Sequence, residues 1–137
     1  MSAIKELLRA ESDGTLSFGD YELSSKTKLS DFAYEGDIYK VKTYKDITRL
    51  EKNDALIYES VPGTAVTNLK LTGSGISFTV EGPEDADLVL EMADETVYEV
   101  IIDGASTGTM VTGLGGKLSF GVELSVGKPV DVQVKAQ

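Results

Sequence analysis

The chain carries 23 carboxylates, 13 lysines and arginines and six tyrosines, but no histidine and no cysteine. Those two absences together remove Ser-His-Asp and Cys-His nucleophile arrangements, imidazole-ligated metals and thiolate metal sites. Acid–base chemistry would have to run on carboxylates, lysine or tyrosine. A glycosidase-type pair needs two carboxyl groups roughly 5–9.5 Å apart. With 23 acids some pair meets that spacing by chance, and no residue pattern marks one as buried. Ser24-Ser25-Lys26 sets hydroxyls beside an amine, the ingredients of a lysine-assisted nucleophile, but on an expected loop with no oxyanion hole in view. The sequence therefore assigns no catalytic residue and no cofactor-binding residue.

Binding chemistry has more to draw on. Residues 81–103 hold nine acidic side chains and no lysine or arginine. Oxygen-rich clusters suit Ca²⁺, and Glu84, Asp85 and Asp87 are the candidate ligands, although their spacing fits no EF-hand loop. Solvated faces and turns of an acidic protein account for the same stretch. Five of the six tyrosines (Tyr21, Tyr34, Tyr39, Tyr44, Tyr58) lie in the first half, near Lys40, Lys42 and Lys45. Tyr39 and Tyr44 fall on opposite faces of a strand by parity, which favours cross-strand packing or a protein interface over a flat stacking platform. Gly73-Ser74-Gly75 and Gly113-Leu114-Gly115-Gly116 lie between expected strands rather than before helices, so neither reads as a phosphate loop.

The net charge is −10, which argues against nucleic acid as a partner. It is uneven: residues 1–62 hold 9 basic and 12 acidic groups, residues 63–137 hold 4 and 11. No run approaches a membrane span, and the charged opening residues do not read as a signal peptide, so a cytoplasmic protein is expected. At 137 residues with 41% hydrophobic side chains, the chain can bury a core without staples.

The elements that must position these groups read as mostly β. Residues 2–11 have Ile4, Leu7 and Leu8 at helical spacing behind Ser2 as N-cap, which predicts a short N-terminal helix. From Leu16 the period becomes two. Ile38 to Tyr44 reads as a strand with Tyr39, Val41 and Thr43 on one face, and residues 47–60 as a hairpin about Asn53-Asp54, in preference to a helical turn through Ile47 and Leu50. Val61-Pro62-Gly63-Thr64 suits a type II turn and marks a boundary. The expected organisation is a helix plus tyrosine-rich antiparallel β region over 1–63, then a sandwich of seven short strands over 64–137. Ile76, Phe78 and Val80, then Leu118, Phe120, Val122 and Leu124, then Val130, Val132 and Val134 are its expected core faces.

Tyr98-Glu99-Val100-Ile101-Ile102-Asp103-Gly104, followed by Gly108, Thr112, Gly116, Leu118, Phe120, Val122 and Leu124, resembles the closing strands of immunoglobulin-like or fibronectin-like sandwiches. Such modules often accompany polysaccharide-processing enzymes, and the resemblance implies carbohydrate binding. Residues 9–19 (Arg-Ala-Glu-Ser-Asp-Gly-Thr-Leu-Ser-Phe-Gly), 39–45 (Tyr-Lys-Val-Lys-Thr-Tyr-Lys) and 58–64 (Tyr-Glu-Ser-Val-Pro-Gly-Thr) are similar to a family of small bacterial proteins commonly labelled endosialidase. The label conflicts with the residues. Sialic acid carboxylates are usually clamped by several arginines, and this chain has only Arg9 and Arg49. The expected function is a nonenzymatic structural or protein-interaction module, self-associating through its helix and exposed tyrosines. A carbohydrate-binding accessory module is the alternative, and a glycosidase-type enzyme comes third.

Overall fold

A computed structural model describes residues 3–137. They form thirteen strands: β1 (Leu8–Ala10), β2 (Leu16–Phe18), β3 (Thr27–Tyr34), β4 (Asp37–Tyr44), β5 (Ile47–Lys52), β6 (Ala55–Val61), β7 (Ala65–Thr72), β8 (Gly75–Glu81), β9 (Ala86–Glu91), β10 (Val97–Ile102), β11 (Ala105–Val111), β12 (Lys117–Val122) and β13 (Val130–Ala136). One antiparallel sheet runs β1-β2-β7-β8-β13-β10-β11, the other β12-β9-β6-β5-β4-β3. Strands from both sides of Val61–Thr64 contribute to each sheet.

Alternation decides which faces meet. Ile76, Phe78 and Val80 of β8 are buried and so are Val132 and Val134 of β13, while Val41, Leu50, Tyr58, Leu88 and Leu90 line the opposing sheet. These side chains belong to one continuous core, and the sheets form a β-sandwich around it. Tyr58 of β6 sits between Phe18 and Phe78 of the other sheet, edge to face, with ring centroids 5.3 and 5.5 Å away. Leu118 and Val122 are buried as expected, whereas Phe120 and Val130 are only half-buried against the core.

The hairpin of β5 and β6 turns at Asn53-Asp54, both with positive φ (51° and 66°), and β5 is a strand rather than a helical turn. The Asn53 side chain secures it: its Oδ1 accepts from the Ile38 N–H at 3.0 Å and its Nδ2 donates to Asp37 at 2.9 Å.

The N-terminal helix expected over residues 2–11 does not form; among the described residues there is no helix, and Ser2 lies outside them. A two-turn helix is marginal alone. A turn over residues 4–7 and the pairing of Leu8–Ala10 with β2 take its place, and Ile4 and Leu8 are both buried. Leu7 adopts φ 72°, the Ile4 N–H donates to the Gly19 carbonyl and the Gly19 N–H to the Leu7 carbonyl. The expected type II turn at Pro62-Gly63 is replaced by a corner with a cis Val61–Pro62 peptide. Gly19 (φ 99°) packs so closely here that a Cβ would overlap the Thr64 carbonyl oxygen.

The expected immunoglobulin-like arrangement of residues 64–137 also meets a difference. In an immunoglobulin constant domain the last strand lies in the sheet opposite the first two. Here β13 lies in the same sheet as β7 and β8, directly beside β8.

Candidate functional site

The register of the six-stranded sheet builds a basic strip on its outer face. Val41, Thr43 and Leu50 point inward, so Lys40, Lys42 and Arg49 point outward. Lys42 stands directly opposite Lys28 on one side and Arg49 on the other. Arg49 is fixed by two carboxylates: its Nε donates to Glu51 at 2.8 Å and its Nη1 to Glu59 at 3.0 Å. Lys40 reaches Glu51 at 3.3 Å. The Arg49 guanidinium, then Lys40, hold the Glu51 carboxyl below the usual carboxylate range. Lys28 and Lys42 have no carboxylate within ion-pair distance among the described residues. A hollow of about 60 Å³ lies between Lys28, Lys40, Lys42, Arg49 and Glu51.

The residues singled out in the sequence are placed otherwise. Asp85 accepts a hydrogen bond from the Leu124 N–H at 3.0 Å, Asp87 is exposed on β9, and Glu84 is exposed in the preceding turn. No three potential metal-ligating side chains converge among the described residues. Ser24, Ser25 and Lys26 are all exposed on a bend before β3. Arg9 lies on β1 of one sheet, engaged with Glu11 and Glu6, and Arg49 on β5 of the other. They cannot share one carboxylate.

The tyrosines are not an exposed set, which corrects the basis on which self-association was expected. Tyr21, Tyr39, Tyr58 and Tyr98 are buried, and Tyr34 and Tyr44 half-buried. Tyr58 instead anchors a buried polar chain that the sequence did not signal. Its hydroxyl and that of Ser60 both meet Thr64 Oγ1, at 2.7 and 2.8 Å. Thr48 Oγ1 donates to the Thr64 carbonyl at 2.8 Å and accepts from the Thr64 N–H at 3.0 Å. With that proton committed, Thr43 must donate in its 2.8 Å bond to Thr48, while accepting from the Asp20 N–H. The network is closed and structural.

A last surface is the free edge of β11. The four sheet edges are β1, β11, β12 and β3. Three carry charge, through Arg9, Lys117, and Lys28 with Asp31; β11 (Ala-Ser-Thr-Gly-Thr-Met-Val) carries none. Val111 stands opposite Val97 and is 68% exposed, and Leu114 in the next turn is 85% exposed. No helix among the described residues is long and apolar enough to cross a membrane. No family model, curated protein or solved structure matches this chain.

Proposed function

We propose that the protein is a nonenzymatic interaction module that self-associates through the free edge of β11. The observation carrying this reading is that β11 alone among the four edges lacks the charged side chains with which sheets discourage edge pairing. Two copies meeting antiparallel along it bring no like charges together, despite a net charge of −10 on each. Val111 and Leu114 add apolar area beside the ladder. The bulge in β11 at residues 106–109 interrupts the edge, which limits the pairing to a short ladder.

Multi-angle light scattering tests it. The wild type should be an oligomer whose mass is the same in low and high salt, and Thr109→Lys should be a monomer of unchanged fold. A wild-type monomer at high concentration would sink the proposal.

Carbohydrate binding remains the second reading, favoured by a cleft of about 310 Å³ where Tyr34 lies beside Asp37 and Lys52. Tyr34 is half-buried there and Tyr39, which also lines the cleft, is buried. A glycan array with no hits would remove it. Sialidase-type chemistry has no support in the placement of Arg9 and Arg49.

A further inference from the structure

We infer that the strip of Lys28, Lys42 and Arg49 is a binding site for a single tetrahedral oxyanion group, a sulfate or a phosphate. Like charges directly opposite one another weaken a sheet. Here one lysine faces a cation on each side, in a protein where acidic groups outnumber basic ones 23 to 13. Carboxylates were at hand to neutralise the row, and those nearby are spent elsewhere: Glu51 and Glu59 hold Arg49, and Glu51 also takes Lys40. What they leave is an oriented guanidinium whose Nη2 makes none of these bonds, and two ammonium groups without partners among the described residues.

The four cations less Glu51 and Glu59 give the strip two net positive charges, shown by the tally Lys28, Lys40, Lys42, Arg49 against Glu51, Glu59. The hollow between them, about 60 Å³, suits one tetrahedral oxyanion rather than a whole sugar or nucleotide. An anion there would convert the Lys28–Lys42 and Lys42–Arg49 repulsions into shared charge-assisted hydrogen bonds. The oxyanion can arrive as a free ion or as an ester on a polymer, and the experiment separates these sources. The site lies on the six-stranded sheet and does not depend on pairing along β11, which belongs to the other sheet.

The test is a titration of ¹⁵N-labelled protein with inorganic sulfate, inorganic phosphate, and dextran sulfate against plain dextran, at constant ionic strength. Saturable amide shifts confined to β3, β4 and β5 are expected, with affinity about tenfold weaker in Lys42→Ala and also weaker in Lys28→Ala. Saturation by the inorganic ions identifies a free-ion site; saturation by dextran sulfate alone identifies an ester on a polymer. Shifts that are linear in salt, or equal in wild type and both variants, would overturn the inference. So would shifts at β3–β5 that appear on raising the protein concentration without added anion, because the strip would then be occupied by carboxylates of a second copy.

Discussion

At the scale of single residues, Thr48 is the link that joins Thr43 to Thr64 in the buried polar chain. Its hydroxyl serves Thr43 and both backbone groups of Thr64, so an isosteric Thr48→Val leaves three buried polar groups short of partners. One such group costs about 1–3 kcal/mol, and a clearly lowered urea midpoint is expected; an unchanged midpoint would mean that water enters the corner. Tyr58 gives the same network a pH signature. Burial pushes its phenol far above the ordinary value, so the folded state keeps the proton while the unfolded chain loses it above the ordinary value of 10.0. Its contribution is therefore complete below about pH 10 and declines as pH rises beyond it. The stability gap between wild type and Tyr58→Phe should shrink over that range. Lys42 works in the other direction. Lys42→Gln removes two like-charge cross-strand contacts and should stabilise by about 0.2–1 kcal/mol, an increment that fades with added salt. A destabilised Lys42→Gln in low salt would show that the row is already neutralised in solution.

At the scale of elements, burial ranks two phenylalanines that alternation alone treats as equals. Phe78 is buried against Tyr58, so Phe78→Ala should cost about 3–5 kcal/mol, whereas Phe120, half-buried on β12, should cost less. Equal losses in denaturant melts would contradict this order. Period-two patterning made β4, β8 and β13 legible, and Asn53-Asp54 fixed the β5–β6 hairpin, because those signals are local. The N-terminal segment misled for the same reason. Ile4, Leu7 and Leu8 fit a helical stripe, and what overrides it is pairing with Phe18 and Gly19, at a distance that spacing does not encode. The basic strip was half legible. Lys40 and Lys42 stand out in sequence, but Lys28 and Arg49 join them only through the registers of β3 and β5. The β11 edge was invisible as an edge, since a strand's place in its sheet depends on every other strand.

For the whole molecule, electrostatics bounds the pH range of stability. Glu11, Asp13 and Glu51 are all held below their ordinary values, chiefly by the Ser17 hydroxyl, the Thr15 hydroxyl and the Arg49 guanidinium respectively. Stability from such groups is present above their unfolded values and lost as pH falls through the folded ones. Relief of self-repulsion opposes this loss until the net charge vanishes near pH 4.4. Below that point both effects act together, and urea midpoints should drop steeply; a midpoint that held steady to pH 3 would show that these carboxylates are no better held in the fold than in the open chain. The sandwich also has an order of completion written into it. The seven-stranded sheet is bridged in its interior by β13, which lies fifth, between β8 and β10, yet follows the other twelve strands in the described chain. While the ribosome still holds that segment, the sheet exists as two pieces with open inner edges, each a template for a neighbouring nascent chain. Completion of the sheet must then wait until β13 has emerged, and until it does the facing edges of β8 and β10 are the points of risk.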